Sequence, residues 1–278
     1  MTAMGEMDRE IGTLLRHWRQ RQRRSQLDVA LAVGVSARHL SFVETGRSRP
    51  SRALLLRLAA HLDVPLRERN DLLLAAGLAP AYPAHKLDDD ELAGVRTALE
   101  SFLASQEPNP TLVFNRRGDL LLTNQAVWLF LDDIDEAVLL PRPNVYRIVL
   151  HPKGMAPRLR NRSAWATHLE HRLAWQASAG GDPYVVNLLE ELRGYPALRQ
   201  DHSAGDQLDH KQLMLPIVLD TPVGDLTLYS IVTKFGSPFD VTLAEIAIES
   251  FFPADAENAA RLAELSARRS GRDAQRSS

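Results

Sequence analysis

Residues 25–51, SQLDVALAVGVSARHLSFVETGRSRPS, constrain the chain more than any other stretch. They hold two short amphipathic segments, a glycine-centred turn between them and a basic loop after the second. Ser25 has the chemistry of an N-cap, with Asp28 three residues on. Leu27, Ala30 and Leu31 give this segment an inward face, and Ala30 is small where two helices must cross closely. Gly34 supplies a turn of positive φ, and Val35 plugs the core from it. Ser36 caps the next helix, whose inward residues are Leu40 and Val43. Ala37, Arg38, Ser41, Phe42 and Thr45 then face outward. Gly46 ends the helix, and Arg47, Ser48 and Arg49 follow in a loop.

Helical spacing extends to both sides. Apolar residues at 11, 14, 15 and 18 give one buried face, followed by Arg16, Arg19, Arg21, Arg23 and Arg24 on or after it. A fourth helix is expected over residues 52–62, with Leu55, Leu58, Ala59 and Leu62 inward. A fifth runs over residues 65–76, with Pro65 in its first turn and Gly77 closing it. Residues 1–78 carry 13 arginines and 8 acidic residues, a net charge of +5, whereas the rest carries −7. A basic block suits a polyanion; an acidic one does not.

With Ser25-Gln26, Ala30, Gly34-Val35-Ser36, Glu44-Thr45-Gly46-Arg47 and Arg49-Pro50-Ser51 in this order, residues 10–78 resemble the Xre/Cro-like helix-turn-helix family, a five-helix domain. The resemblance implies double-stranded operator DNA as partner. The major groove admits one helix, whose first residues reach base edges. Ser36, Ala37, Arg38 and Phe42 are therefore expected nearest the bases, Arg38 at a guanine edge and Ala37 or Phe42 at a thymine methyl. Ser41 lies on the same outward face. Gln26 matches the family's backbone- or base-contacting glutamine. Thr45, Arg47 and Arg49 suit phosphates, which position without specifying. His39 reaches a phosphate or is simply solvated. Glu44 is out of place beside DNA and is expected to pair internally, with Arg52 or a helix N-terminus.

The absence of cysteine excludes disulfides, thiolate metal sites and a cysteine nucleophile. The first residues lack the apolar core of a signal peptide, and no apolar run approaches the roughly 20 residues of a membrane span. A cytoplasmic protein without a membrane partner is expected.

Residues 79–85, APAYPAH, read as a hinge, and Asp88, Asp89 and Asp90 as the start of a linker helix with Leu92, Val95, Leu99, Phe102 and Leu103 on one face. Strands are expected at residues 111–114, 120–123, 212–219, 226–233 and 246–252, the last with a weaker helical alternative. Residues 144–150 form a further element. Asn124 is expected to cap a helix reaching 131, and helices follow at 163–177, 184–192 and 254–268. Residues 240–243 read as a turn and the last ten residues as disordered. Two short strands, a tight turn and a helix are how a PAS-like sensor domain begins. With Pro110-Thr-Leu-Val-Phe-Asn115, Gly118-Asp-Leu-Leu-Leu-Thr-Asn124, Val145-Tyr-Arg-Ile-Val-Leu-His-Pro152 and Leu226-Thr-Leu-Tyr-Ser230, the region over residues 87–255 resembles the MmyB-like regulators, whose C-terminal part is a PAS-like ligand-binding domain. The nearest equivalent of the family's Trp/Arg-rich central helix is Asn161-Arg162-Ser163-Ala164-Trp165.

The fold class is therefore α+β. An all-α five-helix helix-turn-helix domain (10–78) precedes a hinge and linker helix (79–107), a PAS-like α+β domain (108–256), and a terminal helix with a disordered tail (257–278). The resemblance implies an apolar pocket for a small, fatty-acid-like effector. Trp128, Tyr146, Trp165, Trp175, Leu215 and Tyr229 either line it or simply pack the core. Arg147, Arg158, Arg160 and Arg162 either hold a carboxylate head group or are surface residues. His168 and His171 stand three apart on one helix, and Asp201, His202, Asp206, Asp209 and His210 cluster in a loop; neither group has the spacing of a metal site. No phosphate loop, nucleophile elbow or HExxH occurs. The expectation is a homodimeric transcription regulator, with no catalytic residues, no metal and no cofactor. The alternative makes the C-terminal region a protein-interaction or dimerisation module without a small ligand.

Overall fold

The structure, a computed structural model, describes residues 2–180, 182–199 and 214–276. The chain divides into two compact units, Met1–Lys86 with Gly236–Ala244, and Leu87–Phe235 with Glu245–Ser278.

The first unit contains α1 (Thr2–Arg21), α2 (Gln26–Ala32), α3 (Ala37–Glu44), α4 (Arg52–His61) and α5 (Leu66–Ala75). Three serines set the starts. Ser25 Oγ accepts from the Asp28 amide and the Asp28 carboxylate accepts from the Ser25 amide, a capping box. Ser36 Oγ accepts from the His39 amide at 3.1 Å, and Ser51 Oγ from the Leu54 amide at 3.3 Å. Each such cap contributes about 1 kcal/mol. Gly34 holds φ at 71° in the turn between α2 and α3. Pro65 sits at the N-cap of α5, one residue before the first turn.

Ile11, Leu15 and Trp18 of α1 pack with Leu40 and Val43 of α3 and with Leu55, Leu58, Leu62, Leu72 and Leu73 in one core. A Cβ on Gly12 would lie 2.6 Å from the Glu44 carbonyl oxygen, so α1 crosses the end of α3 only because residue 12 has none. The expected face of α2 is corrected. Val29 and Ala30 are buried, whereas Leu27 and Leu31 are exposed, Leu31 by 71%. A seven-residue helix completes two turns, and its apolar positions fit either of two phases. Packing against α3 and α4 selects one.

The hinge expected at residues 79–85 is instead bound to the helical unit. Asn70 Oδ1 accepts from the Ala81 and Tyr82 amides, and Asn70 Nδ2 donates to the Tyr82 carbonyl at 2.7 Å. From the other side, the Val241 amide donates to the Pro83 carbonyl at 2.8 Å, Thr242 Oγ1 to the His85 carbonyl at 2.5 Å, and His85 Nδ1 meets Asp240 Oδ2 at 2.8 Å.

The second unit begins with a 3-10 turn, Asp90–Leu92, which leads into α6 (Ala93–Ser105). Then follow β1 (Thr111–Phe114), β2 (Leu120–Thr123), α7 (Trp128–Leu131), α8 (Glu136–Leu139), α9 (Val145–Leu150), α10 (Arg162–Gly180), α11 (Pro183–Arg193), α12 (Pro196–Arg199), β3 (Ile217–Leu219) and β4 (Leu226–Thr233). After β4 the chain returns to the first unit, where the five-residue α13 (Val241–Glu245) replaces the expected turn at residues 240–243, because Asp240 Oδ1 accepts from the Thr242 amide and starts a helix. β5 (Ala247–Pro253) and α14 (Ala256–Arg276) complete the chain. Of the strand expected over 212–219, residues 212 and 213 lie outside the described residues.

The strands form one antiparallel sheet in the order β2-β1-β5-β4-β3. Val113 pairs with Ile248, and Tyr229 with Phe252, so the last strand is central. This is the α+β organisation expected. Two local readings are corrected. Asn124 does not cap the turn after it: its Oδ1 accepts from the Thr111 amide at 3.0 Å and its Nδ2 donates to the Asn109 carbonyl at 2.9 Å, tying the end of β2 to the start of β1. The terminal helix runs to Arg276 rather than ending ten residues short of the terminus. Glu257–Arg261 and Glu264–Arg268 pair at helical spacing along it, and Leu262 enters the core.

Candidate nucleic-acid interface and ligand cavity

The last residue of α3 fastens the helix from behind. Glu44 is 3% exposed. Its carboxylate accepts from Arg19 Nε at 2.6 Å, from Arg19 Nη2 at 2.8 Å and from Gln26 Nε2 at 2.8 Å, with Arg16 at 3.7 Å. Burial alone would raise the Glu44 pKa. Hydrogen bonds from Arg19 and Gln26 and the charges of Arg19 and Arg16 outweigh it and hold the carboxyl below the usual range. The partner is thus α1 and the start of α2, not Arg52, which donates to the Ala79 and Pro80 carbonyls.

The opposite side of α3 carries Arg38 and Phe42 one turn apart. The Arg38 guanidinium lies 5.3 Å from the Phe42 ring centroid, and that of Arg47 lies 5.9 Å from it. One aromatic ring therefore holds two cations beside the first turns of the helix, each contact contributing about 0.5–1 kcal/mol at an exposed site. Ser36, Arg38, Thr45 and Arg47 are exposed; Ala37, His39, Ser41 and Phe42 are partly so. Thr45 Oγ1 donates to the Ser41 carbonyl at 2.8 Å, so its proton is engaged within the helix. Two of the expected DNA-contacting residues have internal partners in the free protein. The Gln26 amide is spent on Glu44, and Arg49 donates to the Ala76 carbonyl at the end of α5. Both have internal acceptors, whereas Arg38 and Arg47 face outward.

The second unit encloses a cavity of about 130 Å³ between the sheet and α7, α9 and α10. Leu112, Leu228, Val232 and Phe251 line it from the sheet, and Tyr146, Val149, Trp165 and Leu169 from the helices. Its polar lining groups are Ser230, Glu249, His168 and Arg172 together with Tyr146. His168 and Val232 are open to solvent and mark its mouth. A Cβ on Gly118 would lie 2.4 Å from the Tyr146 ring, so glycine lets that ring close the cavity wall. Trp165 Nε1 donates to the Pro216 carbonyl at 2.8 Å, and Asn161 Oδ1 accepts from the Val218 amide. The Asn161-to-Trp165 segment thereby fixes the start of β3.

Tyr146 and Trp165 line this cavity, but the other expected lining residues do not. Tyr229 points to the opposite face because its neighbours Leu228 and Ser230 face inward. Trp128 is exposed. Trp175 is 67% exposed, since the lining positions of α10 end at Arg172. Leu215 packs at the edge of the core. The four proposed head-group arginines are engaged elsewhere. Arg147 forms a bidentate pair with Glu191 at 2.8 and 2.7 Å, Arg158 meets Asp133, Arg160 meets Asp220 and Asp225, and Arg162 donates to the Ala156 carbonyl. The cavity cation is Arg172, which the sequence reading missed. Its signal was its place on α10, one turn after His168 and two after Trp165.

Among the described residues there is no cluster of three or more metal-ligating side chains, and no helix is long and apolar enough to cross a membrane. The acidic and histidine cluster at residues 201–210 lies outside the described residues.

Comparisons with known proteins agree with this division. Residues 10–72 match the family model of a helix-turn-helix domain. Residues 95–265, more than half of the chain, match that of the MmyB-like transcription regulator ligand binding domain. No curated protein matches. Among solved structures, the chain is similar to the clp gene regulator ClgR from Corynebacterium glutamicum, at 24% identity over 37% of this chain and 95% of that one, with a TM-score of 0.23.

Proposed function

The chain belongs to the MmyB-like transcription regulators, and from that premise we propose that it is a cytoplasmic, sequence-specific operator-binding regulator whose C-terminal domain senses a small apolar ligand with one acidic end. The observation that supports it best is α3, braced behind by Glu44 and offering Arg38, Phe42 and Arg47 outward. Such a helix enters a major groove with its first turns against base edges. Arg38 and Phe42 read bases; Arg47 binds phosphates.

The ligand is fatty-acid-like in chemistry but short. A cavity of about 130 Å³ is near the size that holds a benzene-sized molecule, so a long chain would require the walls to move. An apolar cavity favours ligand sensing over a pure protein-interaction module, which needs none. The protein acts as a homodimer on half-sites about 34 Å apart. Ligand changes DNA affinity only through its different affinities for two arrangements of the DNA-binding domains. No reaction is catalysed.

Native mass spectrometry of the purified protein tests the sensing half. A bound small acid, released on denaturation, is expected. An empty dimer that gains no stability from short-chain acids contradicts ligand sensing.

A further inference from the structure

Glu249 on β5, Ser230 on β4, and His168 and Arg172 one turn apart on α10 make a polar region in the apolar cavity. Ser230 and Arg172 line the same cavity as the Glu249 carboxyl, and both favour its ionised form. Among the described residues no carboxylate reaches ion-pair distance of Arg172. Its guanidinium lies over the Phe114 ring, 5.5 Å from the centroid. A cation and an acid thus face one space without being joined. A ligand carboxylate gains Arg172 but meets Glu249. Two carboxylates close together away from water do not both stay ionised.

We propose that the cavity takes up a short apolar monocarboxylate together with one proton, Arg172 holding the charge and Glu249 sharing the proton with the ligand's carboxyl group. This rests on the reading that the cavity is a ligand site. Burial already pushes the Glu249 carboxyl above its usual range, against the Ser230 hydrogen bond and the Arg172 charge. The titratable groups that face it are Arg172 and His168 from α10 and Tyr146 from α9; β1 presents Leu112 and β4 presents Ser230 and Val232. Burial keeps the Tyr146 hydroxyl protonated. Partial burial and the charges of Arg172 and His171 hold His168 below its ordinary value, which favours its neutral form. Glu249 and the ligand are left to exchange the proton.

The test is calorimetric titration of the full chain with pentanoate and with 1-pentanol, from about pH 6.5 to about pH 8.5, in two buffers of different ionisation enthalpy. Pentanoate binding to the wild type should take up about one proton and weaken about tenfold per pH unit, while pentanol binding stays level. Glu249→Gln should bind pentanoate with no such slope. Proton uptake by the wild type needs no variant and stands if Glu249→Gln does not fold. Pentanoate binding without proton uptake overturns the proposal, as does a slope retained in Glu249→Gln; so does pentanol binding with no pentanoate binding at any pH. In each case the cavity remains a ligand site. If neither compound binds, the ligand-site reading falls and takes the proposal with it.

Discussion

Arg19 and Glu44 meet as a bidentate ion pair, Nε to Oε1 at 2.6 Å and Nη2 to Oε2 at 2.8 Å. The pair joins the middle of α1 to the last residue of α3. It fixes the angle of α3 from its buried side and leaves the opposite side unobstructed. A charge that would repel phosphates is thereby neutralised within the fold.

Removing either partner leaves the other without its counter-charge. Glu44→Ala and Arg19→Ala should each cost about 3–5 kcal/mol, as for other buried pairs broken on one side. The double variant should cost clearly less than the two added together. Urea unfolding followed by circular dichroism measures all three. Strict additivity would mean that the pair contributes no coupling.

The same pair sets an acid limit. The folded Glu44 carboxyl lies below its usual value, so its contribution is fully present above the ordinary carboxylate range. It is lost as pH falls through the folded value, because the unfolded chain then binds the proton first. Stability of the helical domain should therefore fall on acidification. Glu44→Gln should be less stable at neutral pH and show a shallower decline, as read from urea midpoints across the acid range.

At Gly12 the side-chain space is taken by the Val43 and Glu44 carbonyls. Gly12→Ala should destabilise by about 1–3 kcal/mol despite alanine's better helix propensity. It should also weaken operator binding, since relief requires the end of α3 to move. Operator affinity unchanged at equal folded fraction would show that the crossing tolerates a methyl group.

What the sequence made legible was local. Ser25, Ser36 and Gly34 act on backbone groups within a few residues, and their roles follow from residue type and spacing. Contacts set at a distance were not legible. Leu27 and Leu31 look like core residues until α3 and α4 choose the face of α2. Asn124 resembles a helix cap, yet its partners are 13 and 15 residues upstream. Aromatic type alone did not tell Trp165, which lines the cavity, from Trp175, which faces solvent. Strand parity decides the sheet side, and it placed Glu249 inward although an acid in a strand reads as solvent-facing.

Filling the cavity separates sensing from folding. Val149 lines it and is only partly buried. Val149→Phe should leave the chain folded while abolishing stabilisation by pentanoate. In the wild type that stabilisation should reach about 2.7 kcal/mol at a hundredfold excess over Kd. Equal stabilisation of both proteins would place the ligand elsewhere.

Selection of bound duplexes from a random pool at about physiological salt, with wild type and Arg38→Ala in parallel, tests the outward face of α3 most directly. The wild type should enrich one defined sequence, and Arg38→Ala should lose preference at one base position, at a cost of about 1–3 kcal/mol there. Enrichment of no sequence by the wild type, with or without a short-chain acid present, would contradict base reading by α3.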